Sequence, residues 1–167
     1  MIRALPRLRI ALPLALLVLF ADCTTKDLAV TTLSPEYTPH SVAGDVIRFT
    51  LVYNPDAAMG LPLGQYGRWF LIAIGSMIVA YLLRMLWTTP LGATPRRIAL
   101  GLILGGAVGN LFSRVTTPRG VVDFIDLGVG PWRFYLFNVA DIGIFLGALL
   151  LAMTLWNQST PPAAEPG

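Results

Sequence analysis

Apolar positions along this chain fall into four long runs, at about residues 8–28, 69–87, 97–112 and 134–156, with most of the charge, glycine and proline between them. A helix needs about 20 residues to cross ~30 Å of hydrocarbon, so each run predicts a transmembrane helix. The third run is short on strict apolarity and extends into Arg96 and Arg97, whose long stems can carry their charge back to the interface. The polar stretch between the first two runs differs in kind. Its middle, Asp45 to Tyr53 (DVIRFTLVY), is rich in β-branched and aromatic residues and predicts a strand. Asn54 and Pro55 end it, and AAMGLPLGQYG reads as a Gly- and Pro-punctuated loop. A strand outside the bilayer must pair, and the second outer loop, around Val121 to Val129, is the available partner. The expected fold is an all-α membrane protein of four transmembrane helices, with a small extracytoplasmic β-rich cradle between helices 1 and 2. Residues 1–158 are expected to form one integral-membrane domain, and 159–167 (STPPAAEPG) a disordered tail.

Composition supports the membrane reading. Of 167 residues, 55% are hydrophobic and only 13% charged, too few charges to cover a soluble domain of this size. The net charge of +3 comes from arginines scattered among apolar runs, which excludes a nucleic-acid footprint and leaves topology as their role. Arg3, Arg7 and Arg9 stand before or at the very start of the first run, and Arg84, Arg96 and Arg97 flank the short connection between the second and third. The positive-inside rule then places both termini in the cytoplasm, N-in and C-in. Arg114, Arg119 and Arg133 fall on the outer side, against the rule, close to the polar groups discussed next. The N-terminal stretch MIRALPRLRIALPLALLVLFADC has the form of a secretory signal, with Leu19 four residues before Cys23. Asp22 stands where a small residue is wanted for cleavage, so a retained helix is expected. A single cysteine excludes an internal disulfide, and a single histidine, His40, argues against a histidine-based triad or a histidine-rich metal site.

Ionisable and amide side chains gather at one end of the runs. Asp22 and Lys26, four apart, share a helix face, as do Asn110 and Arg114; Asn138 and Asp141, three apart, do the same. With the assigned topology all three pairs converge on the outer bilayer face. Glycines at 101, 105 and 109, and at 143 and 147, repeat every four residues and let helix backbones approach. Carboxylates at the edge of hydrocarbon are a functional-site hypothesis by default. Asp123 and Asp141 are the candidate pair, with Asp126 as competitor; Asp22 and Lys26 are read as an anchoring pair. Two carboxylates sharing a partly desolvated site cannot both ionise cheaply, so one keeps its proton. That split state suits peptide hydrolysis, one group activating water and the other donating a proton. For two aspartates alone, a structural ion-pair role is an equal alternative.

Taken in order, these residues resemble the lipoprotein signal peptidase family, also called signal peptidase II. The family's aspartate and lysine at the end of the first span match Asp22 and Lys26. Its asparagine after the outer strand, followed by small residues, matches Asn54 with Ala57 and Ala58. GN-x-x-x-R matches Gly109, Asn110 and Arg114; VVDF matches Val121 to Phe124; FN-x-AD matches Phe137, Asn138, Ala140 and Asp141. The resemblance implies catalytic roles for Asp123 and Asp141, and site-organising or substrate-binding roles for Asp22, Lys26, Asn54, Gly109, Asn110, Arg114, Asn138 and Ala140. It implies an aspartic endopeptidase of the bacterial inner membrane, multi-pass and monomeric, with its site near the extracytoplasmic face. Its substrates would be diacylglyceryl-modified prolipoproteins met within membrane lipid, with no cofactor, metal or nucleic acid. The chain departs from the family at Ser113, where an aspartate is usual, and at Asp56 and Met59, where glycine and an aromatic are usual. Serine cannot make the aspartate's ion pair with Arg114, so local ordering is expected to differ there. The alternatives are a non-catalytic lipoprotein-binding protein of the same fold, motivated by those departures, and a proton-conducting transporter subunit, disfavoured by the lack of polar residues in mid-span.

Overall fold

A computed structural model describes residues 8–55, 64 and 66–159 of the chain. Four long helices, α1 (Ala11–Thr32), α2 (Gly67–Thr88), α3 (Thr94–Thr116) and α4 (Val139–Ser159), carry a small antiparallel sheet at one end. Its strands are β1 (His40–Ala43), β2 (Ile47–Asn54), β3 (Val121–Val129) and β4 (Trp132–Arg133), in the order β1-β2-β3-β4. By length and composition α2, α3 and the apolar part of α4 are long and apolar enough to cross a membrane. The charged residues of α1, Asp22, Lys26 and Asp27, set it apart from these three.

α3 is the central post, packing against α1, α2 and α4. Small residues make this possible: a Cβ at Gly105 would lie 2.6 Å from the Ala15 carbonyl oxygen, and one at Gly106 2.2 Å from that of Ala140. The outward faces of α1, α2 and α4 expose Leu17, Phe20, Tyr81, Phe145 and Leu149. Side chains of that type, uncovered in such numbers, suit lipid as their solvent. At the far end of the bundle Arg97 is 1% exposed and donates from Nε to the Pro90 carbonyl (3.0 Å) and from Nη2 to that of Thr89 (2.8 Å). A cation there adds donors to the carbonyls just beyond the end of α2 and complements its dipole. Arg97→Ala is therefore expected to lower stability by ~2 kcal/mol, since hydrogen bonds to a charged donor are the stronger kind; a thermal melt in detergent, scored against Arg96→Ala, checks this.

The expected strand is present, shifted by two residues at its start and one at its end. It pairs with β3 in the register Ile47↔Leu127 through Asn54↔Val121, with an irregularity between Phe49 and Val52. The sheet therefore draws half its strands from beyond helix 3, and is not confined to the connection between helices 1 and 2. Leu51, Val122 and Phe124 pack on Ala29 and Leu33 at the end of α1, seating the sheet on the bundle. A second correction concerns the fourth run. Residues 134–138 run outside any helix beside β3, with Phe137 bridged to Ile125 and the Phe134 N–H on Leu127, and the helix starts only at Val139. Asn138 is the reason: its side chain supplies the N-terminal cap, and apolarity alone does not mark where a helix begins. Ala57, Ala58, Asp56, Met59 and residues 160–167 lie outside the described residues.

Candidate active site

The site is assembled where α1, α3, α4 and β3 meet. Asn138-Val139-Ala140-Asp141 forms a reciprocal cap: Asn138 Oδ1 accepts from the Asp141 backbone N–H (3.0 Å), and Asp141 Oδ2 accepts from that of Asn138 (3.1 Å). This is capping-box geometry, with the third helical residue reaching back to the cap. It fixes Asp141 in the first turn of α4, where the helix dipole favours negative charge. A third free N–H of that turn, on Ala140, donates to Asp22 Oδ1 at 2.9 Å. Asp22 is fully buried, and Gly109 makes its room: a Cβ there would lie 2.6 Å from Asp22 Oδ2.

Amides connect the two candidate aspartates. Asn138 Nδ2 donates to Asp123 Oδ1 at 2.7 Å, and Asn54 Nδ2 donates to Asp123 Oδ2 at 3.1 Å. Asn110 Nδ2 donates to Asp141 Oδ1 at 2.8 Å, while its Oδ1 accepts from Asn138 Nδ2 (3.2 Å) and Lys26 Nζ (2.9 Å). Lys26 also donates to Asp22 Oδ2 at 2.7 Å and to Ser113 Oγ at 3.2 Å. The amide orientations are mutually consistent, since every acceptor named faces a donor. Asp123 lies on β3, 5% exposed, and its carboxyl is pushed up to about 6, chiefly by burial, with the charge of Asp141 adding to the rise and the Asn54 and Asn138 amides opposing it.

Both aspartates open onto a cavity of about 510 Å³ between α2, α3, α4 and residues 134–138. Its polar end holds Asn54, Asn110, Arg114, Asp123, Asn138 and Asp141; its apolar length is lined by Leu71, Ile74, Ile78, Ile103, Ala107 and Ile144. An apolar trough ending in a few convergent polar groups is the usual form of a ligand site.

A family profile described as Signal peptidase (SPase) II matches residues 14–157, most of the chain and every residue of this network. The chain belongs to the signal peptidase II family. Among relatives in this family, the lipoprotein signal peptidase of Hydrogenovibrio crunogenus is 35% identical over 147 residues, covering 84% of this chain and 81% of its own. That of Ectopseudomonas mendocina is 38% identical over 157 residues, covering 91% and 92%. A solved bacterial membrane enzyme, determined by the in meso method, superposes with a TM-score of 0.81 at 25% identity over 94% of this chain and 93% of that one. Signal peptidase II is a protease family, so the chain is assigned to the hydrolases.

All ten residues singled out from the sequence are placed at or beside this network: Asp22, Lys26, Asn54, Gly109, Asn110, Arg114, Asp123, Asn138, Ala140 and Asp141. Two expectations change. Asp126 does not compete with Asp123, because its oxygens are taken by Arg48, Thr50 and Arg133. Ser113 faces Lys26, so its hydroxyl fills a place in the lysine's coordination rather than a lost partnership with Arg114. Arg119, read as near the site, stacks 3.7 Å over the Tyr53 ring and pairs with Glu36, bracing the strand that ends in Asn54. The α2 stripe of Leu71, Ile74 and Ile78 went unremarked in the sequence although its helical spacing was available there. Arg68 was also missed: it donates to the carbonyls of Arg114 (2.8 Å) and Val115 (2.8 Å), closing the end of α3, and no local pattern pairs residues that far apart.

Proposed function

We propose that the chain is an intramembrane aspartic endopeptidase that removes the signal peptide from diacylglyceryl-modified prolipoproteins. The observation that carries this reading is the pair Asp123 and Asp141, joined through Asn138 and opening together on the polar end of an apolar trough. The trough has the chemistry of a signal helix's surroundings, and its polar end is where the helix would give way to the cleavage point. A lipid-anchored substrate diffuses in the bilayer, so a site at the outer face meets both the apolar helix and water. This adopts four spans, with N-in and C-in orientation, in a single domain acting as a monomer in the bacterial inner membrane.

The two aspartates divide the work by their surroundings. Asp141 accepts two hydrogen bonds at a helix N-terminus, the setting of a carboxylate, and serves as general base. Asp123, desolvated, holds the proton and serves as general acid. Asp141 takes a proton from water as its oxygen bonds to the scissile carbonyl carbon, and Asp123 donates to the carbonyl oxygen. Collapse of the tetrahedral intermediate breaks the C–N bond, the amine leaving with a proton returned by Asp141 while the hydroxyl formed from the carbonyl oxygen gives its proton back to Asp123. Asn54, Asn110 and Asn138 hold the two carboxyls, and Arg114, at the cavity's polar end, balances their charge.

The test is a gel-shift assay with purified protein in nanodiscs and one prolipoprotein in two forms, with the lipobox cysteine diacylglyceryl-modified or replaced by serine. Cleavage of the modified form alone is expected. Binding of that form without turnover would replace the peptidase with a non-catalytic lipoprotein-binding protein.

A further inference from the structure

The geometry points to Asp126 as a positioning residue, a latch that through Arg133 holds the 134–138 strip in register and so sets Asn138 and Asp141 against Asp123. This rests on Asp123 and Asp141 being the reacting pair. Asp126 is 4% exposed. Its Oδ1 accepts from Arg133 Nε (2.9 Å) and lies 2.8 Å from Arg133 Nη2 as an ion pair, and its Oδ2 accepts from Arg48 Nε (3.2 Å) and Thr50 Oγ (3.3 Å). Its backbone carbonyl accepts again from Arg133 Nη2 at 3.1 Å. Asp45, in the β1–β2 turn, closes the ring: its carbonyl accepts from Arg133 Nη1 (2.6 Å), Oδ1 from Arg48 Nη1 (3.0 Å), and Oδ2 from the Gly130 N–H (2.6 Å).

Such a cluster is a poor means to stability alone, since well-packed apolar residues of similar volume serve as well or better. What it supplies is direction, because the guanidinium fork fits a carboxylate in one plane and at one register. The strip needs that. β4 is only two residues long, paired Gly128↔Arg133 and Val129↔Trp132, and beyond it the backbone of the strip is tied to β3 by the Ile125↔Phe137 bridge, by the Phe124 N–H on the Phe137 carbonyl and by the Phe134 N–H on Leu127. Two-stranded ribbons that short are marginal. A slip of one residue against β3 would turn the strip's side chains to the other face and withdraw Asn138 Nδ2 from Asp123. Asp126 sits three residues from Asp123 on β3, and Arg133 five residues before Asn138, so the clamp grips both arms of the dyad close to their working ends. Small misplacements matter there, a shift of ~1 Å being enough to lower a rate by about 10²-fold.

The experiment compares wild type, Asp126→Asn, Arg133→Gln and Arg133→Lys, full length in nanodiscs, by steady-state cleavage of the lipidated prolipoprotein and by amide hydrogen exchange. In Asp126→Asn and Arg133→Gln, kcat is expected to fall at least about tenfold with KM within about twofold, the split left when transition-state geometry alone is lost. Exchange should quicken in peptides covering 124–138 and stay unchanged in α1, α2 and α3. Arg133→Lys, which keeps the charge but not the fork, should recover part of kcat. Wild-type kcat in a folded variant, a rise in KM alone, or exchange quickened equally through the helices would each overturn the latch. If Asp126→Asn does not fold, Arg133→Gln decides alone. If wild type cleaves nothing, it is the peptidase reading that fails, and the exchange comparison still decides whether Asp126 holds the strip.

Discussion

Asp123→Asn and Asp141→Asn are each expected to cut cleavage of lipidated prolipoprotein by about 10³-fold or more, while the protein stays folded and still binds substrate. General acid–base catalysis by one group contributes typically about 10²–10⁴-fold, and each substitution leaves a side chain of the same shape in place. The pH profile tells the two apart. Asp123 is pushed up to about 6, so it holds its proton below that pH and loses it above. As the acid it must be protonated, and kcat/KM, which reports the free enzyme, should fall about tenfold per pH unit above pH ~6. A signal helix filling the trough removes more water, so the same limb in kcat should lie at higher pH. Linkage gives a second reading. A carboxyl whose folded value lies above its unfolded one makes the folded state bind the extra proton, so stability declines as pH rises from about 4 through about 6. The two-unit rise corresponds to ~3 kcal/mol at most, and Asp123→Asn should flatten that part of the melting profile. A wild-type rate in either variant would remove the dyad from the mechanism.

The helices were legible because their signal is long and continuous: each apolar run lies within a few residues of a helix, and the β-branched stretch before Asn54 is a strand. The start of α4 was not, since Phe134 to Phe137 is as apolar as the helix that follows and only the Asn138 cap and the Ile125 bridge distinguish them. Among the candidate residues, pairs close in sequence were readable by spacing, as with Asp22 and Lys26. Asp126 could have been set aside by the same reasoning, because residues three apart on a strand point to opposite faces. The meeting of Lys26 with Asn110 and Ser113, 84 and 87 residues away, has no local signature. It follows from helix packing that the Gly101, Gly105 and Gly109 spacing predicted in outline but not in register.

Lys26→Met is expected to do two separable things. Asp22 would be left fully buried without its ammonium partner, still accepting from the Ala140 N–H, and stranding one member of a buried ion pair costs about 3–5 kcal/mol. Asn110 Oδ1 would also lose its charged donor and keep the longer bond from Asn138 Nδ2, so its amide would be held less firmly toward Asp141. The first effect belongs to folding and the second to the reaction. Adding Asp22→Asn removes the stranded charge, so the double variant should regain most of the lost stability, a coupling well above the ~0.5 kcal/mol of independent sites. Cleavage should remain ~10²-fold below wild type in the double variant, because Asn110 is still without its cation. Thermal melts and cleavage rates on wild type, both single variants and the double variant complete the cycle. Recovery of both stability and rate would reduce Lys26 to a counter-ion for Asp22; recovery of stability alone makes it the residue that orients Asn110 toward the base.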